Sequence, residues 1–161
     1  MREIRVIGDP VLRTPAEPVT DFDRELRRLI EEMFQAMYAV DGVGLAGPQV
    51  GVSRRLFVYD VNNRKGHVIN PVLTVDDPEE IVDEEGCLSV PDRQTGRPIY
   101  APVARASGVT VEGLDRLQRP VRVRARGTLA RCFQHECEHL DGKLYVDRLP
   151  RNDARKIMLR A

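Results

Sequence analysis

The stretch QHECEHLDG, from Gln134 to Gly142, contains the pattern His-Glu-x-x-His. On an α-helix, His135 and His139 project from the same face one turn apart, so both imidazoles can bind a single metal ion. Two of the chain's three histidines fall within these five residues. The pattern therefore predicts a metal site on a helix, with a third ligand from another segment.

The glutamates between the histidines differ in position. At about 100° per residue, Glu136 falls within the apolar stripe of the predicted helix, whereas Glu138 points nearly the opposite way. The stripe is formed by Leu129, Cys132, Phe133 and Leu140. Burial without a counter-charge raises the pKa of a carboxyl group, which suits a group that takes up and releases a proton. We therefore predict a catalytic role for Glu136 and a position at or near the surface for Glu138.

A third ligand is offered by Cys87 in the segment EGCLS, Glu85 to Ser89. Its small and apolar neighbours indicate a buried turn in which the backbone can pack closely against another group. A thiolate and two imidazoles leave one coordination position open, as in catalytic metal sites. We therefore favour Cys87 as the third ligand.

The other candidate donors are interpreted differently. Cys132 faces the core one turn before His135, and Cys137 lies far around the helix from His139, so both are predicted to be packing residues. We interpret His67 as a surface or strand-end residue. The many carboxylates of DDPEEIVDEEG are interpreted mostly as solvated loop charges.

Composition predicts a single domain spanning residues 1–161. The chain has 42% hydrophobic residues and 25 basic residues balanced by 25 acidic ones. Because the net charge is zero, no overall electrostatic attraction draws the chain to nucleic acid, and we expect no sequence-specific nucleic-acid binding. We expect no membrane span, no export signal and a cytoplasmic location. Three cysteines indicate packing, ligation or reactivity rather than a disulfide framework.

The first helix follows a proline-rich segment, GDPVLRTPAEPV, that we predict to be an extended surface arm. Thr20 or Asp21 is the predicted N-cap, and the helix is predicted to end near Gly42. Its apolar stripe comprises Phe22, Leu26, Leu29, Ile30, Met33, Phe34 and Met37.

Between Arg54 and Ala125 the pattern shortens to strand-like, β-branched segments, of which the last two are predicted to form a hairpin through DRLQR. Arg122, Arg124 and Arg126 share one face, which we interpret as solvated rather than RNA-binding because the net charge is zero. The histidine helix and a short C-terminal helix follow. The predicted fold is α+β: mostly antiparallel β-sheets packed around a central metal-binding helix, with an N-terminal amphipathic helix.

Three segments together resemble the peptide deformylase family. They are GVGLAGPQ (Gly42 to Gln49), EGCLS (Glu85 to Ser89) and QHECEH (Gln134 to His139), which match that family's three motifs in order and spacing. The N-terminal segment is also similar, so the resemblance covers nearly the whole chain. It implies removal of the N-formyl group from the starting methionine of new polypeptides, with release of formate.

The resemblance also implies roles for individual residues. Cys87, His135 and His139 would bind one divalent metal ion, with Glu136 as general acid/base. Fe²⁺ is the expected physiological metal, and Zn²⁺, Ni²⁺ or Co²⁺ is plausible in a purified sample, since the donor set alone does not choose among them.

On the substrate side, the resemblance implies that Gln49 and the backbone N–H of Leu88 hold the developing oxyanion. Val43 and Gly44 would lie beside an extended bound peptide. Arg93 is the candidate for a further contact with the peptide backbone.

The sequence departs from the family pattern at a few positions. Glu138 replaces an Asp, for which we expect an altered outer salt bridge. Gly47 replaces an Ala, for which we expect a looser segment before Gln49. The family's substrate-contacting Arg is replaced by Gln94, with Arg93 one position early.

The implied partners are N-formylmethionyl nascent peptides. The tail is shorter than the basic helix with which some family members dock on the ribosome, so we expect at most a weak ribosome association. The basic residues available for it are Arg151, Arg155, Lys156 and Arg160.

Two other functions are considered. A zincin-type metallopeptidase would need a third ligand after His139, where only Asp141, Asp147 and Asp153 are available, and Cys87 would go unexplained. A non-enzymatic protein with a structural metal would need a fourth protein ligand, Cys132 or Cys137, which helical geometry disfavours.

Overall fold

A computed structural model describes residues 1–161, and its architecture is α+β, as predicted. The three α-helices are α1 (Arg24–Ala39), α2 (Gly127–Leu140) and α3 (Arg151–Arg160). Short 3-10 helices occupy Pro10–Arg13, Gly47–Val50 and Tyr145–Arg148. None of the helices combines the length and apolarity that crossing a membrane requires.

The strands form one antiparallel sheet in which spatial order follows chain order. They are β1 (Gly44–Ala46), β2 (Leu56–Val61), β3 (Arg64–Glu85), β4 (Ala101–Leu114) and β5 (Pro120–Arg126). β1 is therefore an edge strand, paired on one side only. The acidic segment interpreted as loop belongs to the long strand β3, whose last residue lies opposite Ala101 of β4.

Alternation along β2 places a helix on each face of the sheet. Leu56 and Val58 pack in a core cluster with the buried stripe of α1. Phe57 and Tyr59 face the other way and pack with Phe133 of α2. The histidine helix is thus held against the inner face of the sheet, as the predicted central helix requires.

α2 is fixed to β4 by a side-chain amide as well as by packing. Oε1 of Gln134 accepts a hydrogen bond from Ala106 N (3.0 Å), and its Nε2 donates to the Ala106 carbonyl (2.9 Å). A buried amide that satisfies both backbone groups of one strand residue sets the position of the helix along the strand. His135, the next residue, is placed accordingly.

The beginning of α1 differs from the prediction. Asp23, rather than Thr20 or Asp21, is the N-cap, and its side chain accepts a hydrogen bond from Leu26 N. The preceding chain is held by Asn70, whose side-chain amide bonds both backbone groups of Val19, so the helix begins only after that anchor.

The proline-rich segment is only partly an extended surface arm. Pro10–Arg13 is a 3-10 helix capped by Asp9, and Leu12, Ala16 and Val19 are buried. Its apolar residues alternate with prolines and charges, so they can be buried against the body while the rest stays exposed.

The predicted hairpin is confirmed as β4 and β5, joined by Asp115–Arg119. Arg122, Arg124 and Arg126 are all exposed on one face of β5, as expected for a solvated face. His67 lies on β3, where its Nε2 accepts a hydrogen bond from Arg116 N.

Candidate metal centre

The predicted ligands converge in the interior. Sγ of Cys87 lies 3.3 Å from Nε2 of His139, which lies 3.2 Å from Nε2 of His135. All three donor atoms lie within 4.8 Å of one another, and all three residues are buried. Metal bonds of about 2.0–2.1 Å to nitrogen and about 2.3 Å to sulfur would set neighbouring tetrahedral donors roughly 3.3–3.6 Å apart. The residues therefore fit one metal ion with an open position.

Two local structures bring the donors together. His135 and His139 project from one face of α2, one turn apart. Cys87 lies in the turn that follows β3, where the backbone N–H of Ser89 points at its sulfur at 3.4 Å. A backbone donor stabilises a thiolate, the form of cysteine that binds metals.

Glu85 is a site residue that the sequence prediction missed. Nδ1 of His135 donates to its Oε2 at 2.7 Å, which fixes the imidazole tautomer and leaves the Nε2 lone pair for a metal. Burial alone raises the pKa of the Glu85 carboxyl, but hydrogen bonds from His135 and Arg105 outweigh it and hold that pKa well below its usual value. Glu85 is therefore a buried anion that orients a ligand.

The two imidazoles have opposite electrostatic surroundings. Burial lowers the pKa of His139, and the neighbouring His135 lowers it further, so its imidazole is kept neutral. Burial also opposes protonation of His135, but Cys87 and Glu85 outweigh it and raise the pKa of His135. A proton therefore competes with a metal for the Nε2 of His135.

Behind Glu85, two acids share one buried arginine. Arg105, with a side chain only 1% exposed, donates to Glu85 through Nε (3.0 Å) and Nη2 (2.5 Å). Its Nη1 binds Glu138, which also accepts from Arg148. Glu138 is thus half-buried at the outer end of an ion-pair network rather than freely solvated.

Glu136 has the surroundings expected of a proton-transfer group. Its side chain is buried, and Oε1 has no hydrogen-bond partner in the protein. Burial raises the pKa of this carboxyl to about 7. The carboxylate lies against Gly44 of the edge strand. It can therefore gain or lose a proton near neutral pH.

Gln49 and Leu88 lie beside the ligands. Oε1 of Gln49 accepts from Ala46 N (2.9 Å), which turns its Nε2 toward Ser89 Oγ (3.1 Å) and Cys87 Sγ (3.7 Å). The backbone N–H of Leu88 has no acceptor within the protein. Two N–H donors thus lie near the metal ligands, and the one on Leu88 has no protein acceptor.

A cavity of about 430 Å³ opens onto this site. The segment from Val40 to Gly44 forms one wall. α2 contributes Thr128, Arg131 and Cys132, which precede His135 on the helix. Val43 is 51% exposed at the rim, and Gln49 and Leu88 also line the cavity. The cavity therefore brings all but one of the predicted substrate-side residues together.

Arg93 is the exception. Its Nη2 donates to the Leu159 carbonyl (2.7 Å), and its backbone N–H donates to the Arg160 carbonyl (2.8 Å). It lies against α3 and does not line the cavity. The chain is drawn there by the adjacent Asp92, which binds Arg160, so we remove Arg93 from the candidate site.

Neither remaining cysteine belongs to the ligand cluster. Cys132 is buried at the cavity wall, and burial raises the pKa of its thiol. Cys137 packs against the core, and burial raises the pKa of its thiol to about 12. Neutral thiols at these positions agree with packing roles.

Gly47 does not loosen the segment before Gln49. A Cβ at this position would lie 2.6 Å from the Arg54 carbonyl oxygen, and all of Gly47–Val50 is buried. We therefore replace the expectation of a loose segment with that of a tightly packed one.

The chain has close relatives among known proteins. The family described as Polypeptide deformylase matches residues 1–155. A peptide deformylase of Acidothermus cellulolyticus is 48% identical over 161 residues, covering 100% of this chain and 85% of that protein. One from Halothermothrix orenii is 50% identical over 151 residues, covering 92% of this chain and 94% of that protein.

Solved structures agree in fold. The crystal structure of a peptide deformylase from Thermotoga maritima superposes with a TM-score of 0.86 at 47% identity, covering 93% of this chain and 98% of that one. A peptide deformylase from Synechococcus elongatus, solved in complex with actinonin, gives a TM-score of 0.89 at 40% identity, covering 98% of this chain and 84% of that one.

Proposed function

The chain belongs to the polypeptide deformylase family, whose members remove the N-formyl group from newly made polypeptides, and we propose that its Cys-His-His site carries out this hydrolysis. The observation that carries the proposal is the convergence of Cys87, His135 and His139 into one buried cluster, of which Cys87 and His135 line the same cavity as Glu136. The reaction adds water across the formyl amide and yields formate and a free N-terminal amine.

Cys87, His135 and His139 would hold the metal through Sγ and the two Nε2 atoms. A divalent ion there would act as a Lewis acid on the formyl carbonyl and generate hydroxide from water near neutral pH. The thiolate of Cys87 moderates that Lewis acidity, and Glu85 keeps the Nε2 of His135 directed at the ion.

Glu136 would move the proton. Its unpartnered Oε1 is available to accept a proton from the attacking water, and a pKa of about 7 lets it pass that proton to the departing amine nitrogen. Because the carboxylate is buried, bulk water does not compete for the proton during the transfer.

Gln49 and Leu88 would stabilise the tetrahedral oxyanion. The Ala46 N–H holds Gln49 so that its Nε2 donates toward the ligands, and the Leu88 N–H is free of protein acceptors. Donors fixed before the reaction stabilise a developing charge without reorganisation.

An extended peptide would bind along β1. The outer edge of this strand is unpaired, and Val43 and Gly44 line the cavity. Backbone pairing at a free strand edge accepts many sequences, which suits an enzyme acting on nascent peptides of all kinds. The first side chain would enter the cavity.

For the metal, we propose Fe²⁺ as the physiological ion, with Zn²⁺ or Ni²⁺ as substitutes in a purified sample. A mixed thiolate and imidazole set accepts all three.

The three cysteines form no disulfide bond, which supports the proposed location in the reducing cytoplasm.

We further propose that the 161 residues act as one catalytic unit.

We also propose that the protein associates weakly with ribosomes. Exposed Arg151, Arg155 and Lys156 on α3 support an electrostatic contact with RNA. A binding measurement with ribosomes at rising salt tests this, and affinity that ignores salt would contradict it.

The experiment that tests the function uses formyl-Met-Ala-Ser and its unformylated counterpart. The metal-loaded protein should release formate from the first and leave the peptide bonds of both intact. Cleavage within the unformylated peptide would indicate a metallopeptidase instead.

A further inference from the structure

Arg131 lies one turn before His135 on α2, and its guanidinium has three partners. Nη1 donates to Glu85 Oε1 (3.1 Å) and to the Val103 carbonyl (2.7 Å), and Nη2 donates to the Ile81 carbonyl (2.8 Å). The same side chain lines the cavity. Arg131 therefore touches both the carboxylate that orients a metal ligand and the space that a substrate enters.

Glu85 needs a second cationic partner because the first, Arg105, is shared with Glu138. Arg105 binds Glu85 with two nitrogens but binds Glu138 with the third. Without Arg131, two carboxylates would compete for a single buried guanidinium. With it, each acid also has an arginine of its own, Arg131 for Glu85 and the more exposed Arg148 for Glu138, so burial of the acids is offset by positive charge.

The hydrogen bonds also fix the rotation of the Glu85 carboxylate. Oε1 accepts from Arg131 and from Nε of Arg105, while Oε2 accepts from Nη2 of Arg105 and from His135. Turning the carboxylate toward Arg105 and Glu138 would break the bond to Arg131. Arg131 thus keeps Oε2 opposite Nδ1 of His135.

We propose that Arg131 is a positioning residue for the metal centre, acting through Glu85 to orient the His135 imidazole from within the cavity wall. The inference deepens the proposed function, since it rests on a metal ion held by Cys87, His135 and His139. The competing explanation is that Arg131 only ties α2 to the carbonyls of β3 and β4.

Three variants of the full chain separate these explanations. Arg131→Met keeps the length of the side chain but removes every donor. Arg131→Lys keeps the positive charge but lacks the planar guanidinium group that donates from several nitrogens at once. Arg148→Met is the matched control, because it removes a cation from the outer end of the same network and has no contact with Glu85.

Each variant is loaded with Co²⁺, and its affinity is measured by competition with a chelator, together with its visible ligand-field spectrum. Removal of a group that orients a metal ligand typically weakens binding by about 10- to 100-fold. Arg131→Met should show such a loss with displaced absorption bands, Arg131→Lys a partial recovery, and Arg148→Met less than about a twofold change.

Wild-type affinity and an unchanged spectrum in Arg131→Met would overturn the inference, even if the melting temperature of the metal-free protein fell. If Arg131→Met does not fold, Arg131→Lys decides: a displaced spectrum supports the inference, and a wild-type spectrum and affinity overturn it. Formate release by the wild type is measured separately. Its absence in a protein that binds Co²⁺ would refute the proposed function and leave the positioning result standing.

Discussion

A carboxylate oxygen of Glu136 occupies the space into which a side chain at Gly44 would project. A Cβ on Gly44 would lie 2.5 Å from Glu136 Oε2 and 2.8 Å from Cys132 Sγ, closer than real Cβ atoms come to other atoms. β1 and α2 can therefore approach each other only because position 44 has no side chain. The family resemblance implied room for a peptide at Gly44, and the structure adds room for the carboxylate of Glu136, the proposed proton-transfer group.

Gly44→Ala should accordingly displace the Glu136 carboxylate while leaving the metal ligands in place. A misplacement of about 1 Å in a reacting group costs roughly 100-fold in rate, so we expect kcat to fall by about that factor with metal content unchanged. Steady-state kinetics and metal analysis on the same sample measure both quantities.

Gly108→Ala is the control for this substitution, because the added Cβ would meet the flexible end of Arg126 at 3.0 Å and Asp77 Cβ at 3.2 Å, and neither residue lines the cavity. It should keep wild-type kcat. Near-native kcat in Gly44→Ala would contradict the assigned position of Glu136.

Gln49→Leu should lower kcat by roughly 100- to 1,000-fold with a smaller change in KM, as expected for loss of one oxyanion donor. Ser89→Ala is the matched comparison, since it removes the hydroxyl that accepts from the Gln49 amide and keeps the backbone N–H that points at Cys87 Sγ. It should lose much less activity. Equal losses in the two variants would mean that Gln49 acts by packing and not by donating to the substrate.

Cys87→Ser should weaken metal binding by at least about tenfold, because a serine hydroxyl stays protonated at neutral pH and is a poorer ligand than a thiolate. Chelator competition measures the affinity. Cys137→Ser, which alters a cysteine outside the ligand cluster, should bind metal as the wild type does. A Cys87→Ser protein with unchanged affinity would remove Cys87 from the ligand set.

The sequence was sufficient to predict the metal ligands, because the features that identify them lie within short segments of the chain. His135 and His139 share a helical face by spacing alone, and the buried position of Glu136 follows from the same periodicity. Cys87 is far along the chain, but its apolar turn set it apart from the two helical cysteines.

Glu85 was not predictable in the same way. It ends a strand in which most neighbours are acidic and exposed, so its own burial leaves no periodic signal. Its partners Arg105, Arg131 and His135 are 20, 46 and 50 residues away and meet it only in the folded sheet. An arginine among the small residues of VARASG was the one available hint of a buried anion.

Arg93 lies outside the cavity for a related reason. Its assignment rested on its position near a family motif, whereas its location is decided by the contacts of its neighbours with α3. A contact between the segment after Cys87 and the last helix is a long-range feature that no local pattern encodes.

The most direct test of the central claim is formate released from formyl-Met-Ala-Ser by wild type and Glu136→Gln, both loaded anaerobically with Fe²⁺ to equal occupancy. Glu112→Gln, which alters an exposed ion pair, serves as control. We predict one formate per free amine from the wild type and the control, and a turnover lower by about 100- to 10,000-fold in Glu136→Gln. No formate from the Fe²⁺-loaded wild type, or near-native turnover in Glu136→Gln, would contradict the account.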